Sequence, residues 1–366
     1  MEKSIVTLSY GCGRYNNIAK VLERVGHKVD WPNLSQIFVK PNFVSVTNQM
    51  ASTHVDAVDA LLCYIRKKYD KDIILIEGGA GHSRYEGFKN FGYFDLQSKY
   101  KIKFYEVGEQ EKQQVYVASN RLEKINVLVD RRLIKSDFTI SITRPKVHDT
   151  VIFTATLKNL LMGSLIIERV CAHRNSRRYI RRIKKKFKNV FNEYWPRLLL
   201  NMPIGLRRTK FLNRLDFFLL RNFNNGDSRA IMHQNFPVMN LNLYLLARHL
   251  KPHLSIVDGY EIMEGDGPID GTSRKMDFAL AGTDCVAVDG IAARILGIDP
   301  ETVGYLYYCS KYNIGTLNSE NIEIISNINI ETIKQIVELH PTYNLQKQWQ
   351  CTKIEEYIKV MGYDIN

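Results

Sequence analysis

Short apolar runs rich in β-branched residues alternate with amphipathic stretches along most of this chain. "IVTLSY" leads to Gly11 and Gly13 and then to "NNIAKVLERVG"; "QIFVKPNFV" leads to "STHVDAVDALLCYIRKKY"; "DIILIEGGAGH" leads to "SRYEGFKNFGYFDLQSKY". Later come "DFTISITRP", "HLSIVDGYE" and "FALAGTDCVAVDGIAARILG". A strand that is apolar along its whole length is covered on both faces. The pattern therefore predicts an α/β fold, a largely parallel doubly wound sheet with helices on both faces. Hairpin signals are few, and no internal repeat or low-complexity linker interrupts the alternation.

Charge divides the chain unevenly. Residues 169 to 222 hold sixteen Lys and Arg against two acids, Glu193 and Asp216, so this segment carries +14 of a net +13 and the other 312 residues sum to −1. Its helical pieces break near Pro196 and Pro203, with Phe187, Phe191, Tyr194 and Trp195 interleaved among the charges. We read residues 1–168 and 223–366 as one α/β domain, in one or two lobes, carrying 169–222 as a basic helical insertion. With 45% hydrophobic residues the remainder has ample core. No apolar run reaches the ~18 residues that span a bilayer, and the N-terminus lacks a signal-peptide pattern. The expected location is cytoplasmic, with peripheral membrane attachment as the alternative. Six dispersed cysteines form no CxxC or CxxH pair, which argues against a zinc ribbon, a ferredoxin motif and a disulfide framework. Most are expected to be core thiols.

In α/β proteins chemistry gathers at the C-terminal ends of strands. "SDFTISITRPKVHDTVIFTATLKNLLMGSL", residues 136 to 165, runs as a strand to Pro145 and then presents Lys146, His148, Lys158 and Asn159. "VKPNF" offers Lys40 and Asn42 past another strand, so two strands supply cations from equivalent ends of one sheet. "EGGAGH" is a turn whose backbone N–H groups, at Gly78, Gly79 and Gly81, can cradle an anion. It matches neither GxGxxG nor a Walker motif. Glu77 would repel a bare phosphate, which points to a metal or to a hydroxyl-bearing ligand. Asp258, Glu264, Asp284 and Asp289 end or follow later strands beside glycines. Such carboxylates pair with lysines, act as acid and base, or bind a hard divalent cation, and spacing alone does not choose. Asp299 before Pro300 reads as a helix N-cap; His249 and His253 read as structural.

"IFVKPNFV", "STHVDAVDALLCYI", "ILIEGGAGH", "ISITRPKVHDTVIFTATLKNLLMG" and "LSIVDGYEIMEGDGPIDGTSRKMDFALAGTDCVAVDGIAARILGIDP" resemble, in that order, the domain of unknown function family 362. The resemblance covers roughly residues 36 to 165 and 228 to 310. Its members read "KPN", a "TTHP"-like segment that contributes His54 here, an acidic Gly-rich loop, "PKxKTH" followed by "LKN", then "DGxxxMEGNGP" and "STDPVAVD". Many add a cysteine-rich iron–sulfur module that has no counterpart in this sequence, so the resemblance implies no cluster here. Proline is missing after His54, Cys285 replaces the proline after "STD", and either His148 or Thr150 fills the family's His position. "IMHQNFPVMNLNLYLLARHL" is similar to a segment of a subset of members and brings His233, Asn240 and Asn242 toward the cleft.

The combined expectation is an enzyme acting on a small anionic metabolite that bears carboxylate or phosphate. His148, Lys146, Lys158 and Asp258 are the catalytic candidates. Lys40, Asn42, His54, Gly78, Gly79, Gly81, Asn159, His233, Glu264 and Asp284 are the ligand-binding ones. Asp258, Glu264 and Asp284 are the candidate ligands for a divalent metal; the cofactor is otherwise open, with no iron–sulfur cluster expected. Two alternatives stand beside it: a protein that binds nucleic acid or an anionic membrane surface through 169–222, and a redox protein of the iron–sulfur-associated family without a cluster of its own.

Overall fold

The structure, a computed structural model, describes residues 2–78, 85–108, 111–166, 231–350 and 352–360. The basic segment 169–222, together with Gly79 and Gly81, lies outside the described residues. Twelve strands are seen: β1 (Ser4–Tyr10), β2 (Ile37–Lys40), β3 (Ile73–Glu77), β4 (Ile102–Glu106), β5 (Lys112–Ala118), β6 (Lys124–Asp130), β7 (Phe138–Thr143), β8 (Lys146–His148), β9 (Ile152–Thr154), β10 (Leu254–Glu264), β11 (Thr272–Gly282) and β12 (Ile322–Ile325). Helices of two turns or more are α1 (Arg14–Val25), α2 (Val55–Arg66), α3 (Thr156–Gly163), α4 (Phe236–Ala247), α5 (Cys285–Ile295), α6 (Gly304–Lys311) and α7 (Thr352–Val360).

Ten strands form one mostly parallel mixed sheet in the order β12-β1-β11-β10-β7-β2-β3-β4, with β8 added beside β10 and β9 beside β8. The four strands from β7 through β2 and β3 to β4 are parallel, as is β10 to β7, whereas β11 runs antiparallel to both β1 and β10. Strands from both sides of the 169–222 segment meet in this single sheet at the β10–β7 pair.

Alternation along each strand sends successive side chains to opposite faces. Ile37 and Val39 of β2 join α1 and α2 in one apolar cluster, while Phe38 joins α3, α4, α5 and α6 in the other. Helices thus cover both faces, as the unbroken apolar strands predict. Residues Val238–Ala247 of α4 are all buried, the expected setting for a helix that is apolar all round.

Three features depart from the sequence reading. "SRYEGFKNFGYFDLQSKY" is not one helix: a short turn of helix, Glu86–Asn90, ends where Gly92 takes φ 75°, and a 3-10 segment, Tyr93–Ser98, follows. Hairpins are also more prominent than expected. β5 and β6 form their own antiparallel pair, with Val115, Val117, Val127 and Val129 buried at the period-2 spacing of a strand with one face covered. β10 and β11 pair over eleven-residue strands that project past the neighbouring β7. Of the described cysteines, Cys285 and Cys309 are core thiols, but Cys12 and Cys63 are only half-buried.

Candidate functional site

The C-terminal ends of β2 and β3 are neighbours, so Lys40 and Glu77, the last residues of the two strands, meet. The Lys40 ammonium pairs with the Glu77 carboxylate and also donates to the Pro41 carbonyl at 2.7 Å. Lys40 is wholly buried, and a buried lysine needs such a partner. Glu77 further accepts the amide N–H of Phe43 at 2.8 Å and of Gly78 at 2.9 Å. Its carboxylate is therefore paired and hydrogen-bonded within the protein while it also lines a cavity. Pro41, lacking an N–H, ends the β2 ladder. Beyond it the Asn42 amide donates to Thr53 Oγ1 at 2.9 Å, and its side chain reaches Thr143 Oγ1 at 3.3 Å.

β7 likewise stops before Pro145. The chain then forms the miniature hairpin β8–β9, with Lys146 opposite Thr154 and His148 opposite Ile152. Lys146 and His148 are two apart on β8 and so share a face. α3 follows directly, its first turn held by Asp289, which accepts from Thr156 N at 2.9 Å, Thr156 Oγ1 at 2.6 Å and Leu157 N at 3.0 Å. Burial raises the Asp289 carboxyl to about 6 despite these bonds. On α3 the pairs Lys158/Met162 and Asn159/Gly163 are spaced i, i+4 and face the strand ends. Asn159 donates to Lys40 O at 3.2 Å and Ser141 Oγ at 3.0 Å.

These pieces enclose a cavity of about 200 Å³, whose wall includes Lys40, Asn42, Lys146, His148, Lys158, Asn159 and His233. Within it, Lys158 Nζ lies 2.8 Å from His148 Nε2. Burial and then the Lys158 ammonium lower His148 to about 4, so the ring is neutral at pH 7 and carries one N–H. If Lys158 donates to Nε2, that proton sits on Nδ1, facing Asp149 Oδ1 at 2.9 Å. If it sits on Nε2 instead, Nδ1 accepts the Thr150 amide at 3.0 Å and Lys158 must act as a free amine. The two arrangements differ by one proton, and the structure holds partners for both.

Lys146 donates to the Ala51 carbonyl at 2.6 Å. Burial, and then the neighbouring cations Arg144 and Lys158, hold its amine well below the ordinary lysine range.

Asp258, expected in the same cleft, lies on the opposite face of the sheet. Val257 belongs to the cluster under α3, so its neighbour Asp258 must point the other way, toward α1. There it pairs with Arg14 at 3.0 Å, in a cluster with Glu261 and the buried Arg144. Burial raises the Asp258 carboxyl, with Arg14 and Arg144 opposing that rise. His54 is beside this second cluster, where it caps α2 by accepting Asp56 N at 3.2 Å, and burial lowers its pKa.

The other carboxylates are also accounted for elsewhere. Glu264 pairs with Arg274 at 2.9 Å and accepts Glu338 N at 2.9 Å. Asp284 caps α5 through Val286 N and Ala287 N and accepts Thr316 N. The candidate metal ligands Asp258, Glu264 and Asp284 therefore do not converge, and among the described residues no group of three or more His, Cys, Asp or Glu is arranged to hold a metal ion. Asn240 and Asn242 are structural as well. Asn240 accepts Tyr305 N at 2.8 Å, and Asn242 brackets Ala118 with two bonds, at 2.8 and 2.9 Å. His253 accepts Thr139 N at 3.0 Å, in keeping with its structural reading. Asp299 caps the turn that follows it.

Sequence reasoning passed over Glu77 as a partner for Lys40, Asp149 and Thr154 on the β8–β9 hairpin, the half-buried Arg14 and the buried Arg144. Arg144 stands immediately before Pro145 and Arg14 immediately after Gly13, so both were within reach of the strand-end rule.

A family model for the domain of unknown function family 362 matches residues 37–294. A thylakoid-associated protein of Synechocystis sp. is 39% identical over 57 residues, 16% of this chain and 18% of that protein, so this chain spans less than a fifth of that relative's length. Among solved structures, the lactate racemase apoprotein from Thermoanaerobacterium thermosaccharolyticum aligns with a TM-score of 0.40 at 12% identity, over 77% of this chain and 54% of that one. With the matched span running from β2 into α5, well over half its length, the chain belongs to the domain of unknown function family 362.

Proposed function

We propose that the protein is an enzyme acting on a small metabolite that bears a carboxylate or phosphate, bound in the cavity at the C-terminal ends of β2, β3 and β7. The observation that carries this reading is the Lys158 Nζ–His148 Nε2 contact of 2.8 Å in the cavity wall. Its two hydrogen-bonded arrangements differ by one proton, which is what a group that accepts and returns a proton requires. Lys158 brings an amine to a space of about 200 Å³ whose wall also holds Lys146 and the paired Lys40 and Glu77, and charge-assisted hydrogen bonds from a lysine hold carboxylates and phosphates.

The test is ligand-induced stabilisation of the full chain. Oxalate, malonate and inorganic phosphate are each titrated against the wild type and Lys158→Gln, reading the unfolding midpoint. We expect at least one dianion to raise the midpoint in a saturable way, by roughly 2.7 kcal/mol at a hundred times its Kd, and Lys158→Gln to weaken that gain. No stabilisation by any of the three would overturn the reading.

A further inference from the structure

We propose that Lys146 forms an imine with its substrate, so that the metabolite is a small aldehyde or ketone that also carries the anionic group. This rests on the reading of the cavity as an anion-binding enzyme site and names the chemistry performed there. A lysine attacks a carbonyl only as a free amine, and proteins obtain that form by desolvating the lysine beside other cations. Lys146 meets both conditions. It is wholly buried yet lines the cavity, and its charged neighbours are Arg144, Lys158, Glu77 and Lys40, of which Glu77 alone favours the ammonium. Among the described residues no carboxylate forms an ion pair with it, since Glu77 is taken by Lys40. Its hydrogen-bond acceptor is the neutral Ala51 carbonyl. That bond uses one N–H and leaves the nitrogen lone pair available. Of these cations Lys158 is in the cavity wall, 2.8 Å from the His148 ring, and it attracts the anionic end of a substrate.

The step balances without any further reactant. The Lys146 lone pair adds to the carbonyl carbon, the carbon–oxygen π pair moves to oxygen, and a proton passing from nitrogen to that oxygen gives a carbinolamine. The hydroxyl then leaves with a second proton as water, and the nitrogen lone pair closes the C=N bond. Lys158 and His148, 2.8 Å apart, supply and recover the protons. The other two lysines of the cavity are engaged differently, Lys40 with Glu77 and Lys158 with His148.

The experiment is reductive trapping on the full wild-type chain at pH 7, with glyoxylate and, separately, acetaldehyde, in cyanoborohydride, followed by peptide mass spectrometry. Exposed lysines such as Lys67 and Lys68 serve as internal standards. A lysine whose pKa lies one unit below the ordinary lysine value holds about ten times more free amine at pH 7. We expect glyoxylate to modify Lys146 at least about tenfold faster than Lys67, acetaldehyde to modify it more slowly than glyoxylate does, and oxalate to suppress the reaction. Modification of Lys67 and Lys68 by both aldehydes, with Lys146 untouched, would overturn the imine while leaving any stabilisation by oxalate to support the anion site. Equal modification of Lys146 by the two aldehydes, unaffected by oxalate, would support the imine and remove the anion reading. Folding of a variant does not enter, because the wild type reports each outcome.

Discussion

Lys40 and Glu77 are both buried and are each other's charge partner, an arrangement whose cost appears only when one member is lost. Removing one partner of a buried pair typically costs about 3–5 kcal/mol because the other charge is left uncompensated. Lys40→Met should therefore lower stability by an amount of that order in denaturant unfolding, and Lys40→Met combined with Glu77→Gln should recover a substantial part of it. A double variant no more stable than the single one would show that the pairing is not the source. The pair also explains Gly163, where a methyl group would collide with the Lys40 side chain. Gly163→Ala forces Lys40 aside, and we expect a loss of about 1–3 kcal/mol, the usual range for overpacking. "KPN" marked Lys40 as a strand-end residue, but its partner was not legible. Nothing in one sequence says that β2 and β3 are neighbours in register, and without that adjacency Glu77 reads as a charge facing the ligand.

At the scale of elements, the β8–β9 hairpin carries the candidate chemistry on strands of three residues each, too short to hold a geometry unaided. A clamp from the far end of the chain supplies the constraint. The Gln346 side-chain amide donates to His148 O at 2.9 Å and accepts the Ile152 amide, while Thr342 Oγ1 donates to Asp149 O at 3.1 Å. Gln346→Ala leaves buried backbone groups unsatisfied, at about 1–3 kcal/mol, and should speed hydrogen exchange in residues 146–154 more than in β2 or β3. Uniform exchange across these strands would argue against a clamp. The hairpin's histidine sets a second expectation. With His148 lowered to about 4 from an ordinary 6.5, the folded state resists its protonation, so His148 contributes stability above pH ~6.5 that is lost as pH falls toward 4. Asp289, raised to about 6, acts in the opposite sense over the same window. The imidazole's own NMR resonance is therefore a cleaner readout than overall stability: a midpoint near 4, moving upward in Lys158→Met as the neighbouring ammonium is removed. A midpoint near 6.5 in the wild type would contradict the buried, Lys158-flanked setting. "TRPKVHDT" announced a loop with chemistry, but strands this short leave no periodic signal. Asp258 went astray for a related reason: proximity to a strand end is readable, whereas the face depends on a register that one residue inverts.

For the whole molecule, the unbroken apolar strands announced the doubly covered sheet, while the antiparallel placement of β11 was not legible, because strand direction depends on how connections cross the sheet. Charge arithmetic remains the ground for expecting polyanion binding through 169–222, which lies outside the described residues. If that segment contacts six or more phosphates, affinity for heparin should fall by ~10³-fold or more between 50 and 200 mM salt, and a chain with 176–222 replaced by a short linker should lose it. Equal retention of both chains on heparin would dismiss the idea. No helix among the described residues is long and apolar enough to cross a membrane, so vesicle co-sedimentation over the same salt series separates surface attachment from nucleic-acid binding. The stretch between Ile166 and Ile231 departs three residues after Gly163 of α3 and returns two residues before His233, and Gly163 and His233 both line the cavity. Any partner that shifts either anchor acts on the helix bearing Lys158 or on His233. Thermodynamic reciprocity then makes the exchange two-way: a polyanion that changes the cavity's affinity for a ligand by some factor has its own affinity changed by that ligand by that same factor.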